Sequence, residues 1–565
     1  MKKLIALLLC LVMVVSVLAG CGAKAPTAGG SNEESKPAEN QGSSKNWPED
    51  LTLTIGIPQA GKVEDYDTNA YMLWLEEQTG FDLQFQVYQG TSNDQKSQLS
   101  VAMVDGDELP DILVGFNLGT GVYEEYGEDG YFIDLAPYFN DKEGASKSWW
   151  ERFEQYEDQE WRDYVWNKMV SNKDGGIYAF PRLESTPFDV MRYQCFINQD
   201  WLTKLNLPMP TDADSLYETL VAFRDQDPNG NGKKDEVPLI GGTGNYCDVV
   251  SWLINMFVYH HSEQFWRVDD QGQLYHVYAS DEYREALKFI NKLVKEGLLP
   301  SSAWTMDSNA IKNMVNPGDG VQTVGVVCGH PTLIYAVNGE NTFSYEAMPY
   351  WGYATVYNQA NQYNTFITED CEYPDAAWHL LMVMSSEEGS YRQRYGEKGV
   401  DWVDADPNTV SFLGKPATIK ILNEGAYSDM GNQCLGTIVA TILNNAENEV
   451  CQLSDDMSDW LQHKMKLMKD CYDNFYAAAE KNPTNTGIRL DYSVEEEEYI
   501  QVAQSNTTGF INQCRASFAT GKGNDYTDPN NDSQWARYVA GIEEQGIATW
   551  QEVAQGVYDW QFANN

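Results

Sequence analysis

Asp225-Gln226-Asp227-Pro228-Asn229-Gly230-Asn231-Gly232-Lys233-Lys234-Asp235-Glu236 lies near the end of a stretch, residues 197–239, that reads as two apolar-periodic helices, a turn-rich loop and a strand. Oxygen-bearing side chains recur at every second position (Asp225, Asp227, Asn229, Asn231), glycines permit a sharp turn, and two carboxylates follow. The pattern suits calcium, a hard cation that takes roughly six to eight oxygen ligands. EF-hand spacing fits a register starting at Asp225, with Gly230 sixth and Glu236 twelfth. A second register starts at Asp227, and a solvated helix-to-strand turn would also use Gly, Asn and Asp.

Around this stretch lie 565 residues, 42% of them hydrophobic, enough for one or more sizeable cores and at least two domains. The formal charge is -46, and loss of Lys2 and Lys3 with a leader would make it -48. Such a surface repels phosphate backbones and excludes nucleic acid as a partner. Of ten cysteines, none forms a Cys-x-x-Cys pair of a zinc or redox site. Eight of them, from Cys195 to Cys514, are scattered as buried apolar thiols would be. Their pairing is not readable from the sequence.

Lys2-Lys3 and the apolar run from Leu4 to Val17 form a signal-peptide n-region and h-region. Leu18-Ala19-Gly20-Cys21 is a lipobox, so residues 1–20 are expected to be removed and Cys21 to carry lipid, palmitate included. That chemistry anchors a chain to a membrane rather than threading it through. Residues 21–47, rich in Ala, Gly, Ser, Asn, Glu, Lys and Pro, read as a flexible linker.

Beyond the linker, Leu51, Leu53, Ile55 and Ile57 alternate with small or polar residues, as do Phe81, Leu83, Phe85 and Val87, which predicts two strands. A helix over residues 71–78 with Gly80 as its cap stands between them. A further helix over 99–104 and a strand over 109–114 continue the alternation. The pattern predicts an α/β chain with open, mostly parallel sheets and helices on both faces. Residues 282–296 form an amphipathic helix with Tyr283, Leu287, Ile290 and Val294 on one side, and Ser493 with Glu496 forms a capping box.

Asn198-Gln199-Asp200-Trp201-Leu202-Thr203-Lys204-Leu205-Asn206-Leu207-Pro208, Pro210-Thr211 and Asp227-Pro228-Asn229-Gly230-Asn231-Gly232-Lys233-Lys234-Asp235-Glu236-Val237-Pro238 together resemble the extracellular solute-binding proteins of carbohydrate ABC importers, in their large lipoprotein subgroup. Ala102-Met103-Val104-Asp105-Gly106-Asp107, Pro374-Asp375-Ala376-Ala377-Trp378 and Tyr395-Gly396-Glu397-Lys398-Gly399-Val400-Asp401 follow the family's order. Asn206 departs from it, standing where the pattern usually has glycine.

The resemblance implies a two-lobed, periplasmic-binding-protein-like fold with a hinge between lobes. Lobe 1 would be residues 48–185 plus 349–425, and lobe 2 residues 186–348 plus 426–565, with hinge strands near 182–190 and 345–350. It implies a structural Ca2+ held by Asp227, Asn229, Asn231, the carbonyl of Lys233, Asp235 and Glu236, which favours the second register. It also implies a monomer on the extracellular face of the cytoplasmic membrane, serving ABC permease subunits.

An enzyme should leave a constellation, and the chain has no Gly-x-Ser-x-Gly elbow, His-Glu-x-x-His or Walker loop. Glycoside hydrolysis needs only two carboxylates, and 84 acidic residues neither favour nor exclude it. A binding cleft for sugars needs aromatic faces for C–H patches and polar groups for hydroxyls. In open α/β sheets ligands sit beyond the carboxyl ends of strands, which nominates Gln59, Asn117, Asn245 and Trp351, with Trp252 and Tyr427 from other aromatic stretches. The reading is a carbohydrate-binding, non-enzymatic protein. Its alternatives are a cell-surface glycan-degrading enzyme and a sensor for a membrane kinase.

Overall fold

The computed structural model describes residues 46–562 except 61–62, 156–158, 172–173, 185–193, 244–246, 262–263, 319, 331–342, 350, 355–360, 428–429, 436–438, 441, 444–450, 454–456, 482–487, 489 and 491. All described residues lie in one unit, Asn46–Asn565. The leader, the lipobox and Cys21 therefore lie outside them, as does Asn245.

The strand Thr52–Pro58 starts the fold. Leu53, Ile55 and Ile57 are buried on it. The helix Ala70–Thr79 follows, held at its start by the Asn69 side chain, which accepts from the N–H groups of Tyr71 and Met72, and stopped by Gly80 at φ 76°. A left-handed residue there favours glycine. The chain then returns through Asp82–Tyr88, parallel to the first strand in the register Leu53↔Leu83 and Ile55↔Phe85. The third strand covers Ile112–Val114 rather than all of 109–114. Pro110 has no N–H to give a ladder, and the Asp111 carboxylate instead accepts from the Thr54 N–H (2.7 Å) and hydroxyl (2.6 Å).

Six strands make the first sheet, in the order Ile442–Leu443, Phe180–Glu184, Asn361–Ile367, Ile112–Val114, Thr52–Pro58, Asp82–Tyr88. Four make the second, in the order Tyr345–Ala347, Cys195–Asn198, Val324–Cys328, Val237–Ile240. The expectation of open, mostly parallel sheets holds: five of six strands in the first sheet and three of four in the second run the same way, and each sheet has one reversed strand. Asn361–Ile367 runs antiparallel to both its neighbours, and Cys195–Asn198 does the same in the second sheet. These are the strands by which the chain arrives in each sheet from the other one.

Two large cores follow the two sheets. One gathers Leu53, Ile55, Ile112, Trp149, Phe180, Ile367 and Trp378. The other gathers Ile197, Trp201, Leu220, Leu239, Tyr283, Ile290 and the helices Val494–Thr520, Asp532–Glu544 and Ile547–Phe562 through Cys514, Tyr538 and Trp550. Asp281–Lys295 packs its apolar face there, and Asn291 on that face donates to the Phe518 carbonyl (2.7 Å). A small sheet of Trp402–Asp404, Ile419–Ile421 and Cys451–Leu453 builds a third core with Asp459–Lys481. Ile442–Leu443 lies in the first sheet, beyond the lobe boundary expected at residue 425.

Candidate functional site

The loop after the helix Ala213–Asp225 enters the second sheet at the amino end of Val237–Ile240, where the Val237 N–H donates to the Thr323 carbonyl (2.7 Å). Asp227 adopts φ 48°, and Gly230 and Gly232 adopt φ 74° and 75°. Three left-handed residues in six coil the backbone tightly and turn its donors inward. The Asp227 carboxylate accepts from the N–H groups of Gly230 (3.0 Å) and Gly232 (3.1 Å). Asn229 and Asn231 each accept from a backbone N–H two residues on, and both donate their amides to Asp235 at 3.1 Å.

Asp225 is turned away, its two oxygens each 2.8 Å from a nitrogen of Arg224. The register beginning at Asp225 therefore lacks its first ligand, and the converging side chains are those of the register beginning at Asp227. Amide donors hold the Asp235 carboxyl below its ordinary range. Glu236 is displaced the other way, first by burial and then by the charges of Asp235 and Asp227. Its Oε1 atom is buried without a hydrogen-bond partner.

A buried, partnerless carboxylate oxygen beside two more carboxylates is costly unless a cation joins it. Each asparagine carries an oxygen as well as the nitrogen it gives Asp235, so the donor set fits a hard cation. The fit depends on these amides. Among the described residues no three His, Cys, Asp or Glu side chains form a metal-holding group by themselves.

The ligand-facing candidates are placed differently. Gln59 and Asn117 are exposed and stand just past the carboxyl ends of two neighbouring parallel strands. The Gln59 backbone donates to the Tyr88 carbonyl (2.9 Å), and its amide donates to Ala60 and Val63 carbonyls at 3.0 Å. Trp351 is half-buried, with its Nε1 lacking a partner. It is held by the next residues, since Tyr353 N–H donates to the Asn255 carbonyl (2.9 Å) and Gly352, at φ 95°, lies so close to Asn255 and Met256 that a Cβ would collide.

Trp252 is a core residue, 5% exposed, edge-on to Trp351 at 6.2 Å. The helix Val249–Ile254 turns that position inward, so any contact with a ligand would pass through Trp351. Tyr427 closes a short turn, Glu424–Tyr427. Sequence reasoning did not single out a cavity of about 850 Å³ that Trp351 lines with Phe257, Phe289, Lys288, Lys292 and Asp214. Its lysines read as the solvated face of an amphipathic helix, and only the fold brings Trp351 beside them. Among the described residues no helix is long and apolar enough to cross a membrane.

A family model described as bacterial extracellular solute-binding protein matches residues 60–391. The chain is 24% identical over 417 residues to the fructooligosaccharide ABC transporter substrate-binding protein FusA of Streptococcus pneumoniae, covering 70% of this chain and 72% of FusA. It is 27% identical over 265 residues to the lipoprotein LipO of Bacillus subtilis, 46% of either chain. FusA in complex with kestose superposes with a TM-score of 0.69 at 20% identity, over 91% of this chain and all of that one. A related structure, at 0.68, is of FusA as an EF-hand mutant. An extracellular solute-binding protein from Bifidobacterium longum subsp. infantis superposes at 0.68 with 21% identity, over 90% of this chain and 98% of that one. These likenesses establish the two-lobed α/β fold.

Proposed function

The chain belongs to the bacterial extracellular solute-binding proteins, and from that premise we propose that it captures a carbohydrate, an oligosaccharide, between its lobes and delivers it to ABC permease subunits. The observation that carries this reading is the fold shared with a fructooligosaccharide-binding relative along nearly the whole described chain. Exposed polar groups at strand ends (Gln59, Asn117) and the half-buried indole of Trp351, backed by Trp252, would supply the two kinds of contact a sugar needs. Asn245 and Tyr427 stay candidates on the sequence argument. Lipid on Cys21 would keep the protein, a monomer, at the extracellular face of the membrane.

The lobes would be residues 48–185 plus 349–425 and residues 186–348 plus 426–565. Ile442–Leu443 pairs with the first sheet, which favours a last boundary past residue 443. The hinge would be the segments near 182–190 and 345–350 that join the two sheets. A Ca2+ ion held by Asp227, Asn229, Asn231, the Lys233 carbonyl, Asp235 and Glu236 would neutralise the carboxylate cluster and tie helix to strand. Its part is structural.

A thermal-shift screen of the leader-free chain against mono- and oligosaccharides, fructooligosaccharides included, tests the reading. A ligand that binds only the folded state raises the melting midpoint. One glycan class should do so while remaining intact. No shift across the panel would argue for another solute, and glycan cleavage would overturn the binding reading.

A further inference from the structure

Cys195 and Cys328 are partners across antiparallel strands of the second sheet. One residue outward, the Gly329 N–H donates to the Gln194 carbonyl (2.8 Å), so Gln194 and Gly329 are a hydrogen-bonded pair. On its other side Cys195 gives its carbonyl to the Met348 N–H (2.9 Å). Backbone groups in such a ladder alternate between sides. Cys195 and Cys328 therefore occupy a non-hydrogen-bonded position, where opposed Cα atoms are about 4.5 Å apart and side chains approach most closely. That spacing lies within the range a disulfide requires, roughly 4.4–6.8 Å.

Both side chains point to the same side of the sheet, among the residues around Ile197 and Val326, and the Cys328 thiol is near enough to act on that of Cys195. Cys471, the other thiol that acts on Cys195, belongs to the cluster with Phe196 and Val327 on the opposite face. Cys195 and Cys328 are 4% and 0% exposed and are free thiols in the structure.

We propose that Cys195 and Cys328 form a disulfide in the exported chain. The proposal rests on the extracellular place of the family, since such bonds persist in oxidising surroundings. The bond forms by thiol–disulfide exchange. One cysteine thiolate, its proton given to water, attacks a low-molecular-weight disulfide and releases one thiol. The second cysteine then attacks the mixed disulfide and releases another, so one disulfide and two protein thiols become one protein disulfide and two small thiols. Burial raises the Cys195 thiol well above its ordinary value, so the folded pair reacts slowly and the exchange belongs to the folding chain. The bond would fasten the first strand after the crossing to lobe 2, beside the Met348 segment that crosses back.

The test uses cells displaying the full chain. They are denatured without reductant, alkylated with N-ethylmaleimide, digested and mapped by mass spectrometry, with a parallel sample folded in oxidised glutathione. The expected result is a Cys195–Cys328 cross-linked peptide that reductant abolishes, with Cys371, Cys471 and Cys514 alkylated. Reduction should also lower the melting midpoint on the order of 5 °C, since the pair closes a loop of roughly 130 residues. The double variant Cys195→Ala/Cys328→Ala should lose that reductant sensitivity. Recovery of both cysteines alkylated in both samples, or of either joined to Cys471, would overturn the proposal.

Discussion

Asp227, Asn229, Asn231, Asp235 and Glu236 come from one ten-residue run and make most of their contacts with one another. Gln59, Asn117 and Trp351 come from three distant stretches, and each owes its place to strand pairing or to a loop fastened on another loop. The first group is a site that its own backbone closes. The second exists only once two sheets and the segments between them are assembled. The two should therefore fail separately, and each perturbation below should disturb one while sparing the other.

The strongest disturbance separates core from ligand face. Trp252→Ala removes a buried indole, and denaturant unfolding should show a loss of about 3–5 kcal/mol. Stability unchanged with glycan binding lost would return Trp252 to the cleft and break the division drawn here. Chelation of calcium comes next. With free calcium about a hundredfold above its dissociation constant, removal costs roughly 2–3 kcal/mol, a fall of the melting midpoint on the order of 2–4 °C. Asp235→Ala should reproduce that fall and abolish its calcium dependence.

Trp351→Ala sharpens the other side. Glycan affinity should weaken about tenfold, or about 1.4 kcal/mol, while the calcium-dependent stabilisation persists. An unchanged dissociation constant would move the sugar platform elsewhere. The smallest effect is a pH dependence. Glu236 has a folded-state value raised above its unfolded one, so without calcium it favours the folded state in acid, and that contribution is lost as pH climbs through the raised value. Glu236→Gln should flatten this slope by about 1–2 °C in melting scans of the calcium-free protein. Calcium affinity should fall as pH drops through the same range, because the bound carboxylate must be ionised.

How much was readable beforehand follows the same line. The Gly80 stop, the Ser493–Glu496 capping box and the helix Asp281–Lys295 depend on residues a few positions apart, and they stand as the sequence implies. The family resemblance already favoured the second loop register, and the structure supplies the physical reason, since Arg224 takes Asp225 out of the cluster. The mostly parallel sheets follow from the alternation of strands and helices, whereas the one reversed strand in each sheet, Cys195–Asn198 and Asn361–Ile367, enters from the other sheet and has no local signal. The burial of Trp252 was not legible beforehand, because an indole in a short apolar helix looks the same whether it faces a core or a cleft. The opposition of Cys195 and Cys328 across the sheet had no local signal at all.

Titration calorimetry of the chain with the glycan class that stabilises it, run once in calcium and once in chelator, puts the separation to the test. Saturable binding to one site should appear in both, with dissociation constants within about threefold, while the melting midpoint falls only in chelator. Binding that vanishes with calcium would make the loop part of the ligand site, and heat from continuing glycan breakdown would make the protein an enzyme.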